Sequence, residues 1–284
     1  ERVALRDGEV TLDFNALAAR ARDASRAFLA AGVRRGDRFA IWAPNRYEWI
    51  LAALGAQSIG AILVPLNTRM KGAEAAYILE RSGARLLFTV DEFAGNRYPE
   101  MLAGIALPAL ERTVLFGQAT GALAGWEEFV AGGRAVSDAE VQAAKAAVCA
   151  DDTLDLMFTS GTTGKPKGVM TGHAQNIRSF DTWSRTVGLG PDDNYLVINP
   201  FFHSFGYKAG IIAWLVTGGT LLPVPVFDVP AVMHLIAAER GTMLPGAPTL
   251  YQTILNHPDR AQLDSSSLRL AVTGAASVPV SLVE

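Results

Sequence analysis

An α/β architecture with two lobes, each a mostly parallel sheet flanked by helices, is the fold that this sequence predicts. Short apolar runs alternate with stretches of helical periodicity along most of the chain, the pattern of strand–helix–strand units. Half of the 284 residues are hydrophobic, enough for a large buried core. Gly, Pro, Asn and Asp fall between the periodic segments, where turns are needed.

The chain opens with Val3 to Arg6 and Val10 to Leu12 around Asp7-Gly8, a hairpin pattern. Phe14, Leu17, Ala21, Ala24 and Phe28 then recur at helical spacing, with Asp13 placed as N-cap and Gly32 as the stop. Strand patterns follow at Phe39 to Trp42, Ile62 to Val64 and Leu86 to Val90. Helical patterns run from Arg46 to Ser58 and around Ala75, Ile78 and Leu79. The most apolar stretch, Trp49 to Leu66, is interrupted by Gln57, Ser58 and Gly60, so it reads as a buried helix and strand. A membrane span needs about 20 mostly apolar residues.

Between Phe93 and Ala150 the pattern is less regular, with one strand candidate at Thr113 to Phe116. A second series gives strands at Leu154 to Phe158, Val169 to Thr171, Tyr195 to Ile198, Thr220 to Val224, Thr242 to Leu244 and Leu268 to Thr273. Its helices run over His173 to Val187, Lys208 to Val216, Pro230 to Glu239 and Pro248 to Asn256. Ile177, Phe180 and Val187 form the apolar face of the first of these helices. The expected lobes are residues 1–150 and 151–284, with a soft boundary near Ala150. The first residues already alternate like a strand, with no signal-peptide pattern. The sequence stops just after Pro279 begins a helix, so part of a longer protein is expected.

Composition excludes several function classes. The formal net charge is −3 and the charges are dispersed, which is no footprint for nucleic acid. The single cysteine, Cys149, precludes an intrachain disulfide and reads as an inert small hydrophobe. No spacing of His, Cys, Asp and Glu suggests a zinc site, and no G-x-S-x-G elbow is present. His234 and His257 stand in no pattern, and His173, at a helix start, reads as structural.

The richest chemistry lies after the strand ending at Phe158. Thr159, Ser160, Gly161, Thr162, Thr163, Gly164, Lys165, Pro166, Lys167 and Gly168 combine three glycines, four hydroxyls and two lysines. Glycines let a backbone approach a ligand closely, and successive N–H groups form a nest for anions. The mixture suits nucleotide phosphates, while a plain hairpin between Phe158 and Val169 is the competing reading. It is not a Walker A loop: Pro166 follows Gly164-Lys165, and Thr159 stands where that motif needs Gly. Nor is it a dinucleotide G-x-G-x-x-G.

The ten-residue segment from Thr159 to Gly168 resembles the signature of the adenylate-forming superfamily, which includes acyl-CoA synthetases, peptide-synthetase adenylation domains and firefly luciferase. Further landmarks resemble that family in order: Ala43-Pro44-Asn45, Val64-Pro65-Leu66-Asn67-Thr68-Arg69, Val169-Met170-Thr171-Gly172-His173, Pro200 to Gly206, Pro245-Gly246-Ala247-Pro248-Thr249 and Thr273-Gly274-Ala275-Ala276. The resemblance implies the superfamily's N-terminal domain, incomplete here. It implies ATP-phosphate binding by Thr159, Ser160, Gly161, Thr162, Thr163, Gly164, Lys165 and Lys167. It also implies adenine contact at Gly274, Ala275 and Ala276, and an acyl pocket near His203, Phe205 and Tyr207. The two aromatics fit a core equally well.

The implied activity is ATP-dependent activation of a carboxylic acid, with a fatty acid expected, followed by transfer to coenzyme A. A carrier-protein acceptor and a non-catalytic nucleotide-binding domain are the alternatives. Pro65 to Arg69 and the Ala-rich, Arg-rich style faintly resemble actinobacterial fatty-acyl and steroid-ring-propionate ligases alike. ATP, Mg2+ and coenzyme A are the implied cofactor and co-substrates. The family's catalytic Lys and Glu are expected beyond residue 284, leaving this segment inactive alone. A cytoplasmic protein without a transmembrane segment, in lipid metabolism and with a homodimer as an allowed assembly, completes the expectation.

Overall fold

The computed structural model describes residues 2–159, 164–274 and 276–283. In chain order the strands are β1 (Val3–Asp7), β2 (Val10–Asp13), β3 (Arg38–Trp42), β4 (Ile62–Pro65), β5 (Leu86–Thr89), β6 (Glu92–Phe93), β7 (Asn96–Arg97), β8 (Arg112–Leu115), β9 (Ala124–Gly125), β10 (Thr153–Thr159), β11 (Lys167–Gly172), β12 (Asn194–Val197), β13 (Thr220–Pro223), β14 (Met243–Gly246) and β15 (Leu270–Thr273). The helices are α1 (Phe14–Ala30), α2 (Tyr47–Gln57), α3 (Gly72–Ser82), α4 (Tyr98–Leu102), α5 (Trp126–Ala131), α6 (Asp138–Ala146), α7 (His173–Val187), α8 (Ala213–Thr217), α9 (Val229–Ala238), α10 (Pro248–Leu255) and α11 (Val280–Val283). A π-helix spans Phe205–Ile212 and a 3-10 turn Pro258–Gln262.

Two compact units result, and they are not sequential halves. One comprises Glu1–Phe14, Asn45–Tyr47 and Ile177–Glu284; the other comprises Asn15–Pro44 and Glu48–Asn176. This corrects the boundary expected near Ala150, and strand pairing is the reason. β10 pairs parallel with β4, which draws the hairpin β10–β11 into the sheet of the earlier residues. β1 pairs parallel with β13, which carries the N-terminal hairpin into the later sheet.

The sheet of the second unit has seven strands in the order β11-β10-β4-β3-β5-β8-β9, parallel apart from the β10–β11 hairpin. Its core is aromatic: Phe28 meets Phe39 and Phe129 edge-on, each at 5.2 Å between centroids. Trp42 stacks flat on Tyr98 at 4.2 Å. The apolar stretch at Trp49 is, as expected, a buried helix (α2) followed by a buried strand (β4).

The first unit holds six strands in the order β15-β14-β12-β13-β1-β2, parallel except for β2. Leu196, Leu222, Val232, Ile236 and Leu244 form the centre of its core. At the amino end of this sheet Asp193, with its side chain 1% exposed, accepts bonds from Arg269, from Thr242 Oγ1 at 2.6 Å and from the Gly190 N–H at 2.7 Å.

Other differences are local. The helix expected from Lys208 begins at Phe205 as a π-helix. The irregular stretch contains α4, α5 and α6. Cys149 is exposed. On α7, Ile177 is 52% exposed and off the packing face, while Phe180 and Val187 are half-buried on the same face as the buried Asn176 and Ser184. No described helix is long and apolar enough to cross a membrane.

Candidate active site

The loop from Thr159 to Lys167 closes an antiparallel hairpin in the second unit. Phe158 pairs with Gly168 and Thr159 with Lys167, so the strand ends hold the two sides of the loop at ladder spacing. Thr159, Gly164, Lys165 and Lys167 are exposed on it. Ser160, Gly161, Thr162 and Thr163 lie outside the described residues. Gly164 has φ +106°, a conformation that side chains with a Cβ rarely adopt. The Lys165 ammonium lies 5.8 Å from the centroid of the Tyr77 ring, within cation–π range.

A polar network anchors the base of this hairpin. Asp155 on β10 is buried and sits opposite Thr171 on β11. Thr171 Oγ1 donates to Asp155 Oδ2 at 2.8 Å. Asn176 Nδ2 reaches Thr171 Oγ1 and Gly172 O, each at 2.8 Å, and Asp155 Oδ2 at 3.3 Å. His173 begins α7 beside this network, and its Nε2 is buried without a partner among the described residues. Burial pushes its pKa below the usual histidine value, against the opposing pull of Asp152 and Asp155. The structural role expected of His173 fits this setting.

The other candidate residues lie at one edge of the six-stranded sheet. After β12 the chain crosses to β13 on one side, then returns to β14 on the other. Strand order therefore reverses between β12 and β14. In open α/β sheets, ligands bind outside the carboxyl ends of the strands at such a switch point. The segment 198–204 leaves β12 there. Pro248 starts α10 just after β14, and Gly246 is paired with Thr273, the last residue of β15. The structure thus brings His203, Phe205, Gly274 and Ala276 to one sheet edge; Ala275 lies outside the described residues.

His203 is exposed and ordered by its neighbours. Its N–H donates to Pro200 O and its carbonyl accepts from the Tyr207 N–H, both at 2.9 Å. Its Nδ1 accepts from the Phe205 N–H at 3.2 Å, so the neutral ring carries its proton on Nε2. Phe205 packs edge-on against Trp183, with centroids 6.1 Å apart. Tyr207 is 1% exposed, which places it behind the surface rather than on it.

A Cβ built on Gly274 would meet nothing within 4 Å, so packing within the described chain does not demand glycine there. Asn199 Oδ1 and Thr273 Oγ1 are buried at the same edge without a hydrogen-bond partner among the described residues. Buried polar atoms are nearly always paired, so each exception calls for a reason such as strain, a catalytic role, or a bound water or ion.

The sequence pattern of the AMP-binding enzyme family matches residues 1–284. The chain belongs to that family. A (7a-methyl-1,5-dioxo-octahydro-1H-inden-4-yl)propanoyl:CoA ligase of Rhodococcus jostii (strain RHA1) is 47% identical over 100% of this chain and 56% of its own length. A ligase of the same name from Mycobacterium tuberculosis (strain ATCC 25618 / H37Rv) is 48% identical over 92% of this chain and 51% of its own length. The crystal structure of the anthranilate CoA ligase AuaEII with anthranoyl-AMP superposes with a TM-score of 0.89 at 27% identity, covering 99% of this chain and 54% of that one. The chain spans about half the length of these AMP-binding relatives.

Sequence reasoning treated Asn45 and Gly206 only as landmarks of the family. Both are structural parts of the β12 edge. A Cβ at Gly206 would lie 2.2 Å from Pro200 O and 2.3 Å from Asn199 O. The signal available in the sequence was the Pro-Asn pair before an apolar helix and the Gly inside an aromatic run.

Proposed function

We propose that the full-length protein activates a carboxylic acid with ATP and passes the acyl group to coenzyme A. The observation that carries this reading is the pair of named CoA ligases at 47% and 48% identity, which cover nearly all of this chain. Their names also favour a propanoate borne on a fused-ring diketone as the substrate, ahead of the simple fatty acid that the sequence suggested. Transfer to a carrier protein is the alternative for the second step.

In the first step a carboxylate oxygen attacks the α-phosphorus of ATP. The bond to the β-phosphate breaks, giving acyl-adenylate and pyrophosphate. In the second a thiolate attacks the acyl carbon and AMP departs. An anion must approach a polyanion, so alignment and charge neutralisation are the main demands on the protein. Lys165, Lys167 and the Thr159 hydroxyl, exposed on the hairpin, are suited to phosphate oxygens, and Ser160 to Thr163 are proposed to complete that set. His203 is proposed to donate from Nε2 to an oxygen of the acid, with Phe205 beside it and Tyr207 as backing. Gly274 to Ala276 are proposed to lie along the adenine.

Mg2+ is usually held by one or two carboxylates together with substrate phosphates. Among the described residues no group of three or more His, Cys, Asp or Glu could hold a metal ion. The hairpin offers cations and hydroxyls instead, so its residues do not fit a protein-built magnesium site and no step is assigned to the metal. The cytoplasm, which holds ATP and coenzyme A, is the proposed location. A homodimer is the proposed assembly, read by sedimentation of the full-length protein.

Pyrophosphate release by the full-length protein, measured across fused-ring propanoates, fatty acids and aryl acids, tests the reading. Fused-ring propanoates are expected to give the highest kcat/KM, and residues 1–284 alone to give no acid-dependent exchange. Release that no acid stimulates would overturn acid activation; a preference for long-chain fatty acids would overturn the substrate.

A further inference from the structure

Asn45 follows β3 in sequence but belongs to the unit of the six-stranded sheet. It is 3% exposed. Its Nδ2 donates to Val197 O and to Asn199 O, each at 3.0 Å, and its Oδ1 accepts from the Phe201 N–H at 2.7 Å. One carboxamide thus ties the last residue of β12 to two residues of the turn after it, across about 150 positions of sequence.

No other side chain of this size makes that pattern. Both hydrogens of the amide group are needed by carbonyls, and the amide oxygen by an N–H. An aspartate would turn an oxygen toward the two carbonyls. A serine hydroxyl has one hydrogen to give. The tied turn is also crowded by Gly206, which packs on the carbonyls of Asn199 and Pro200. The turn then delivers His203, whose N–H is bonded to Pro200 O and whose ring is bonded to the Phe205 N–H.

We propose that Asn45 is a positioning residue for the acid-activating step: it fixes the turn of residues 198–203 and thereby the place and tautomer of the His203 ring. This rests on the proposed role of the β12 edge in binding the acid. Asn45 touches neither acid nor nucleotide in this proposal, so its loss acts through His203. Binding of ATP phosphates by the hairpin is left unchanged.

The test uses the full-length protein with Asn45→Ser, Asn45→Ala and Asn45→Asp. Thr242→Val, at the opposite end of the same sheet, is the control for lost stability. Asn45→Ala is expected to raise the acid's KM about ten-fold or more, the scale of a misplaced binding group, with the KM for ATP held within about two-fold. Asn45→Asp is expected to exceed that change and Asn45→Ser to fall short of it, while Thr242→Val moves neither KM. Spectra of 15N-histidine, recorded in a buffer alkaline enough to keep imidazoles neutral and with the His203 signal assigned by His203→Gln, are expected to show the Nε2–H tautomer in the wild type and mixed tautomers in Asn45→Ala.

Parallel changes in both KM values, an unchanged His203 spectrum, or failure of all three variants to fold while Thr242→Val folds would overturn the proposal. Should the wild type activate no acid, the functional reading fails, and the histidine spectrum still decides whether Asn45 places the ring.

Discussion

The two ends of the six-stranded sheet share strands but differ in how their polar groups are matched. At the amino ends, Asp193 is bonded to Arg269, Thr242 and the Gly190 N–H. The Asn194 N–H donates to Thr242 Oγ1 at 2.9 Å, and Asn194 Nδ2 donates to Glu239 O at 2.8 Å. At the carboxyl ends, Asn199 Oδ1 and Thr273 Oγ1 are buried without partners among the described residues, and His203 is exposed. The backbone of that second end is nevertheless held firmly, by Asn45 below the turn and Gly206 against it. One end is matched for stability. The other keeps a fixed backbone and under-used side chains, which is what a preorganised binding edge requires.

The largest effect is expected at the matched end. Asp193→Ala should cost about 3 kcal/mol of stability, the low end for a broken buried pair because Arg269 is half exposed. Urea titration of the full-length protein measures it, with KM for the acid unchanged in the folded fraction. Gly206→Ala should do the reverse. Its Cβ would strike two backbone carbonyls, so the turn must move, and acid-dependent kcat/KM should fall by about 10²-fold, the scale of an ångström-sized misplacement. A fall in kcat/KM that merely tracks lost folded protein would remove the contrast between the ends.

The same substitution at both ends sharpens it further. Thr242→Val takes one hydrogen bond from Asp193 and leaves the Asn194 N–H without its acceptor, and should cost about 1–3 kcal/mol. Thr273→Val removes a hydroxyl that has no partner among the described residues and should cost nothing, or gain up to about 1 kcal/mol, while weakening ligand binding. Equal melting shifts for the two would contradict the account.

The smallest effect concerns the hairpin unit. His173 has a folded pKa below its ordinary 6.5, chiefly through burial. Its contribution is therefore fully present above pH 6.5 and is lost as pH falls toward the folded value. His173→Gln should flatten the decline in melting temperature below pH 6.5, measured against the wild type by thermal unfolding.

Much of this was legible in the sequence, for physical reasons that differ by element. The parallel strands are short, apolar and bounded by turn residues, so β3, β4, β5, β12 and β13 were readable in place. Helix α6 was readable too and was missed: Ser137-Asp138-Ala139-Glu140 is a capping-box pattern. In the structure the Ser137 N–H donates to Glu140 Oε2 at 2.8 Å, and the Glu140 N–H to Ser137 Oγ at 3.3 Å. The π-helix was not readable, because the almost wholly buried run Phe205 to Ile212 carries no period that would distinguish it from an α-helix. Nor was the division into units, which depends on β1 and β10 pairing with distant strands. Among site residues, the hairpin loop declared itself by composition. Asn45 did not, since a buried Asn differs from a surface one only by what it touches.

The central claim is that this chain belongs to a protein that joins an acid to AMP. Incubating the full-length protein with ATP and a fused-ring propanoate, without coenzyme A, and detecting the product by mass spectrometry tests it most directly. Accumulation of the acyl-adenylate, about 10²-fold slower in Gly206→Ala and chased to the thioester by coenzyme A, is the predicted result. Bound ATP that remains intact with every acid supplied would contradict it.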